Sequence, residues 1–323
     1  MHAIQRLLVL LMLCVLATPA AAQRVEIELL DEGWVNAERP PIDADEAFLR
    51  GAYAMVLDGR HDRAKVVVTR WLNENRGLDN QWTPLALLIR GDAKLADDDE
   101  YEALYDYEEI ANNYPGSPEY IKAAERELDI AVAYLEGKFR KLLGLRVLSA
   151  RRDAEELLVR IAERLPGSQV AERALLELGA FYRRTGEFEL AREVYGVFLQ
   201  TFPTSPFYRV VLLARIEATF AEYNGPQYDG SGLLETRALL DEYEDRYPGD
   251  LAVEAELDAL RVRIDENQGR QMLSSARVYL LRGERAAARY VLRRLVAAHP
   301  RTTAAREAIA ILDERGWLRE DVR

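Results

Sequence analysis

Few residues in this sequence carry reactive side chains: there are three histidines and one cysteine. A hydrolytic triad needs a nucleophile, a base and an acid within bonding range, and a metal site needs three or four ligands at a recognisable spacing. His2 and Cys14 fall in the first 22 residues, His61 stands at a helix turn, and His299 directly precedes Pro300. Neither His61 nor His299 has a serine, cysteine or acid at a spacing that suggests a triad or a metal site. Asp97-Asp98-Asp99-Glu100 is a dense acidic run, but it lacks the glycine and the distant glutamate of a helix-loop-helix calcium loop. It reads as a solvated turn whose aspartates cap the next helix. The sequence also lacks a glycine-rich phosphate loop. An enzyme is therefore not expected, nor any catalytic residue, metal or cofactor, and attention moves to surfaces that hold other molecules.

Arg6 precedes an apolar run from Leu7 to Ala17 that ends in Pro19-Ala20-Ala21-Ala22. A helix that spans a membrane needs ~20 apolar residues, so the run reads as an export signal with cleavage between Ala22 and Gln23; the alternative is an uncleaved anchor. Leu11, Met12 and Leu13 are not the small residues that precede a lipid-bearing cysteine, so lipidation of Cys14 is not expected. Cleavage would leave a chain without thiols, which fits a bacterial cell envelope better than a disulfide-stapled secreted scaffold. It would also remove one base, leaving 42 bases against 55 acids. Phosphate backbones attract basic proteins, so a nucleic-acid partner is not expected.

The elements that must build a surface show as a repeat. Asn113-Tyr114-Pro115-Gly116-Ser117, Arg164-Leu165-Pro166-Gly167-Ser168, Thr201-Phe202-Pro203-Thr204-Ser205, Arg246-Tyr247-Pro248-Gly249-Asp250 and Ala298-His299-Pro300-Arg301-Thr302 are variants of one phrase. Proline ends the preceding helix, and the Ser, Asp or Thr two residues later is placed to cap the next one. The prolines are 51, 37, 45 and 52 residues apart, so the repeat is irregular and carries insertions.

Within the unit Ala174 to Pro203, Leu175, Leu178, Gly179 and Tyr182 lie on a first helix, Gly186 in a turn, and Ala191, Tyr195 and Phe198 on a second. This resembles the tetratricopeptide consensus, with small residues where the two helices cross and large ones filling the groove on either side. Weaker copies contain Leu87, Gly91, Ala103, Tyr107 and Ile110, and Met272, Ala276, Tyr279, Gly283, Ala288, Leu292 and Leu295. A degenerate first copy has Phe48, Ala52, Gly59, Ala64 and Trp71. The expected fold is an all-α superhelical array of about five to six irregular helix-turn-helix repeats. A single long helix, or two nearly collinear ones, is expected from Leu251 to about Leu281.

The order of the units and the segment Ala276-Arg277-Val278-Tyr279-Leu280-Leu281-Arg282-Gly283 resemble the BamD family of outer-membrane assembly proteins. The match is clearest over Leu234 to Pro248 and Leu257 to Leu312. The resemblance implies a scaffold on the periplasmic side of the outer membrane that binds the barrel-forming subunit of the assembly machine or receives unfolded outer-membrane proteins. The other reading is a general tetratricopeptide adaptor in another envelope process, such as cell-wall synthesis or division. Nothing in the sequence sets the oligomeric state.

The expected divisions are a signal at 1–22, an extended lead-in at 23–45, and N-terminal repeats at 46–168 with an insertion at 137–150. BamD-like repeats at 169–315 and a tail at 316–323 follow. Tetratricopeptide first helices line a concave groove, which makes Tyr53, Asp92, Arg183, Arg184, Glu217, Phe220 and Arg277 candidate partner contacts. The insertion, with Lys138, Phe139, Arg140, Lys141 and Arg146 among leucines, is a candidate docking element for a partner or for peripheral contact with an anionic membrane; alternatively its leucines only pack on the next repeat. The Gly225-Pro226-Gln227-Tyr228-Asp229 break is either a recognition loop or a simple turn.

Overall fold

A computed structural model describes residues 27–30, 33–36, 43–142, 145–226, 228 and 230–318. The expected signal with its cleavage point at Ala22 and Gln23 lies outside these residues, as do Gln227 and Asp229 of the glycine-proline break. Thirteen helices run through the described chain: α1 (Ala44–Leu57), α2 (His61–Glu74), α3 (Thr83–Ala96), α4 (Glu100–Asn113), α5 (Glu119–Leu135) and α6 (Arg151–Arg164) form the first half. The second half is α7 (Gln169–Thr185), α8 (Phe188–Thr201), α9 (Tyr208–Ala221), α10 (Ser231–Arg246), α11 (Glu254–Leu281), α12 (Arg285–Ala298) and α13 (Thr303–Glu314). They form six antiparallel pairs and a closing helix, an all-α tetratricopeptide-type array.

Two short antiparallel hairpins are appended to the helices. In the lead-in β1 (Ile27–Leu30) pairs with β2 (Gly33–Asn36), and α1 already begins at Ala44. In the insertion β3 (Arg140–Leu142) pairs with β4 (Leu145–Leu148). The lead-in was expected to be extended, but strands of only three or four residues carry too little pattern for their pairing to stand out.

The joints obey one backbone rule. Tyr114, Leu165, Phe202, Tyr247 and His299, each before a joint proline, have φ between −132° and −123° and ψ between 48° and 60°. The following pyrrolidine ring excludes the helical basin there, so the helix stops, yet each N–H still donates to the carbonyl four residues back. Capping is more varied than the sequence suggests. Ser168 and Thr302 accept from the N–H groups of Ala171 and Ala305, both at 3.1 Å. Asp250 accepts from the Ala252 N–H at 3.3 Å and also takes the Tyr243 hydroxyl at 2.6 Å and Arg209 at 3.1 Å, and the buried Ser117 hydroxyl has no partner.

The small residues at the helix crossings meet rings. A Cβ at Gly91 would lie 2.5 Å from Cε1 of Tyr107, and one at Gly179 would press as closely on Tyr195. The two rings are fully or nearly fully buried. Phe48, expected in the first repeat's core, is exposed; its neighbour Leu49 is buried beside Ala52, Val68 and Trp71. The one-residue shift places the apolar stripe of α1 on the adjacent helical face.

One continuous core runs from Leu87 in α3 to Ile264 in α11. α11 is a single helix of 28 residues whose first half, through Leu257, Leu260 and Ile264, closes that core. Its second half, through Leu273 and Ala276, builds another with Leu292, Leu295, Ala304, Ala308 and Leu312. Between the halves, a Cβ at Gly269 would stand 3.1 Å from Thr302 Oγ1 and 3.2 Å from Ala304, so α13 begins directly on the backbone of α11. The tail expected from 316 is partly structured: Trp317 packs on this second core and its carbonyl accepts from Arg293 at 2.7 Å. None of the described helices is long and apolar enough to cross a membrane.

A methyl group at Gly179 cannot be accommodated without moving the Tyr195 ring. Gly179→Ala is expected to lower unfolding stability by about 1–3 kcal/mol, the range for overpacked cores, read as a lower urea midpoint with an unchanged slope.

Candidate protein-binding groove

The first helices of the pairs, α1, α3, α5 and α7, lie side by side, as do α11 and α13, and form an inner layer. From α3 onward, each is tied to the next by a contact that includes a cation. Asp92 on α3 accepts from Arg126 on α5 at 2.9 Å; Asp129 on α5 pairs with Arg173 on α7 at 3.1 Å; Arg183 on α7 pairs with Glu217 on α9 at 3.1 Å. The Arg263 guanidinium on α11 sits 4.5 Å from the centre of the Phe220 ring on α9, and Arg277 on α11 pairs with Glu307 on α13. Five of the seven groove candidates, Asp92, Arg183, Glu217, Phe220 and Arg277, are members of this ladder.

The rungs differ in strength. Arg183–Glu217 and Asp129–Arg173 are about half exposed on both sides, so each contributes little, on the order of 0–1 kcal/mol. Asp92 is not the exposed contact expected of it: it is buried and also takes the Tyr107 hydroxyl at 2.9 Å. The helical spacing had placed it correctly, but the neighbouring α5 covers it. Burial and the Asp92 charge raise the Tyr107 hydroxyl far above the ordinary tyrosine value, and the hydrogen bond to Asp92 raises Arg126 further. Asp92 thus fixes both the ring that fills the Gly91 crossing and the first rung.

Between α9 and α11 the inner layer opens into a 400 Å³ pocket lined by Glu217, Phe220, Tyr223, Glu256, Leu260 and Arg263, among others. Here the groove offers an aromatic floor with acids and a base at its edge, suited to an apolar side chain of a bound segment flanked by polar ones. Tyr53, on α1, is partly exposed. Arg184 stands apart from the ladder, its guanidinium 5.7 Å from the Phe181 ring that Arg151 also covers.

The docking insertion is held at its base. Lys138 pairs with Asp98 at 3.2 Å and with Glu100, whose carboxylate is buried and whose hydrogen bond raises the lysine above its usual value. Phe139 is about half exposed; Arg140 and Lys141 lie on β3 and Arg146 on β4. The Asp97-Asp98-Asp99-Glu100 run is a turn solvated only in part: Asp98 is exposed, whereas Asp97 is half-buried and Glu100 buried. Asp97 takes Lys65, which holds the carboxyl below its usual range, and His61 Nδ1 at 2.9 Å, while Asp99 occupies the cap position of α4 without a side-chain capping bond. Cations arriving from elements far away in the chain make the difference. His299 is buried with Nδ1 3.4 Å from Asp265 and not hydrogen-bonded. Among the described residues no cluster of three or more His, Cys, Asp or Glu is placed to hold a metal.

Sequence reasoning missed the partners Arg126, Asp129, Arg173, Arg263 and Glu307. A signal existed: Asp92 and Arg126 are 34 residues apart, as are Arg183 and Glu217, the length of one tetratricopeptide unit. The 44 residues between Asp129 and Arg173 include the inserted hairpin.

Glu127, on α5, is completely buried; one carboxylate oxygen takes Arg164 at 2.8 Å and the other has no partner. Burial raises its carboxyl to about 7 against the partial compensation of Arg164. The folded chain then holds this proton where the unfolded chain, near its ordinary 4.5, has shed it, so stability falls as pH rises from about 4.5 to 7 and is flat above. Across that window Glu127→Gln is expected to gain on the wild type by at most about 1.4 kcal/mol per pH unit, measured by urea unfolding at stepped pH. Asp92→Ala, which leaves the Tyr107 hydroxyl buried without its acceptor, is expected to cost about 1–3 kcal/mol at neutral pH.

A tetratricopeptide repeat family model matches residues 173–205, the unit formed by α7 and α8. Comparison with curated proteins gives no match. Among solved structures the chain is similar to pilF of Pseudomonas aeruginosa, at 13% identity and a TM-score of 0.32, covering 83% of this chain and 97% of that one. It is also similar to the C-terminal part of a TPR repeat-containing protein from Cytophaga hutchinsonii, at 12% identity and 0.29, covering 80% and 98%. Scores this low fix no detail of the present array. With its proline joints, its small-residue crossings and one unit matched by the family model, the chain is a tetratricopeptide-repeat protein, a fold whose members typically bind other proteins.

Proposed function

We propose that the chain is a periplasmic scaffold of the outer-membrane assembly type, holding a partner of the barrel-assembly machine or an unfolded outer-membrane protein in its inner groove. The observation that carries this reading is the groove itself. Its helices are held by the buried cores beneath them and linked by the ladder from Asp92 to Glu307, and it opens at Glu217, Phe220 and Arg263 into a pocket large enough for one or two apolar side chains. Binding to a preorganised surface spares the ordering entropy that weakens association. An unfolded outer-membrane strand alternates apolar and polar side chains, the pattern that an aromatic floor edged by charges accepts. The resemblance of Leu257 to Leu312 to the BamD family supports the choice of process.

Affinity capture from detergent-solubilised envelopes tests the reading. Outer-membrane assembly subunits or unfolded barrel proteins are expected with the wild-type chain, and several-fold less of them with Phe220→Ala. Recovery of envelope proteins that include none of these would refute the assembly role, and equal recovery with Phe220→Ala would refute the pocket.

A further inference from the structure

The joints between successive pairs are not equal. The second helix of each pair packs on the first helix of the next, and this packing is loosest between α10 and α11. The core breaks at the same place: the long cluster ends at Ile264 and the next begins at Leu273. The buried residues of α11 between them are Gln268 and Gly269, which supply no large apolar side chain.

Two hollows lie at this joint, of 810 and 720 Å³, and share Arg237, Ala298 and His299 in their walls. In the first, arginines meet acids across the joint: Arg237 pairs with Asp265, and Arg261 with Asp241 at 3.3 Å. The second is a groove with α10 and α12 as walls and α11 as floor. Leu234, Met272, Tyr279, Tyr290 and Val291 give it an apolar lining, and its charged residues are two arginines, Arg237 and Arg294, with no acid. Leu234 and Tyr290 are each 65% exposed, which is high for large apolar residues on facing walls. Arg294 is exposed and forms no ion pair among the described residues.

The lining defines what fits. From Tyr290 to Ala298 the α12 wall is about 12 Å long, a little over two turns of a docked helix. Throughout the array helical flanks are covered by helices, so a helix is the element whose ridges this surface receives. Its charge follows from the arginines. With a screening length of about 8 Å at physiological salt, a group in the groove responds to Arg237 and Arg294 and little to acids several repeats away. Residues 268–318, which surround the groove, hold ten arginines against four acids.

We propose that the groove between α10 and α12 docks an amphipathic helix of a partner protein, with apolar side chains on Leu234, Met272 and Tyr290 and a carboxylate beside them on Arg294. The apolar face of such a helix supplies the layer that the joint lacks, and the carboxylate gives the unpaired arginine its counter-ion. The groove opens on a different side of α11 from the Phe220 pocket, which Glu256, Leu260 and Arg263 line. Docking there is independent of whether the inner groove serves outer-membrane assembly.

Fluorescence anisotropy with a labelled peptide of about 18 residues, long enough to hold a helix, tests this. The peptide has leucines on one face, glutamates beside them, and alanine and glutamine elsewhere. The full wild-type chain should bind it, and bind about tenfold more weakly a peptide with glutamine in place of the glutamates. Arg294→Glu, with wild-type circular dichroism, should show the same loss and should prefer a peptide with lysines in place of the glutamates. No binding of the glutamate peptide, equal binding by Arg294→Glu, or weakening by Phe220→Ala but not by Arg294→Glu would each overturn the proposal. So would sedimentation velocity in which the wild type self-associates and Arg294→Glu does not, which would give the groove to a second copy. Binding to phosphatidylglycerol vesicles that Arg294→Glu abolishes and the peptide does not compete would also overturn it, assigning the arginine to lipid.

Discussion

No helix pair of this chain can bury its apolar residues alone, and everything else in the structure answers that constraint. In α3–α4 and α7–α8 the inner seam closes where a glycine meets a ring, and each pair has an outer flank that only the next pair can cover. The buried residues from Leu87 to Ile264 therefore form one cluster, not one per repeat. An array held in this way resists local change through nearest neighbours, and its ends must be closed by something other than a further repeat. At the finish α13 with Trp317 does so; at the start Leu49 and Trp71 of the first pair pack with Ala86 and Ile89 of α3.

Polar residues follow the same order. The cation-bearing rungs that cross the inner layer are individually weak where exposed, yet they recur at each step from α3 to α13. The strong member is Asp92, because burial denies its partners any substitute in water. Glu127 marks the opposite case, a carboxyl whose burial its arginine offsets only in part.

Much of the architecture was legible in the sequence because its signals are local. Proline at 115, 166, 203, 248 and 300 acts on the residue just before it, and glycine at 91 and 179 can be read from spacing within one helix pair. What could not be read was anything set by a distant element. Asp92 was placed on the correct face, but α5 buries it; Asp97 and Glu100 looked solvated until Lys65 and Lys138 arrived from 32 and 38 residues away. The inserted hairpin escaped notice because strands of three and four residues carry no usable period. The groove candidates were found one helix at a time, and their pairing needed the repeat length as a ruler.

The single unbroken course of α11 has a mechanical meaning. With 28 residues it is about 42 Å long, and it belongs to two cores, one holding Arg263 beside Phe220 and the other holding Arg277 beside Glu307. Gly269 rests against the start of α13 between them, where a fulcrum would stand. A tilt of about 5° about that point moves each end of such a rod by roughly 2 Å in opposite directions. The same helix is thus shared by the pocket at Phe220 and by the packing of the last helices.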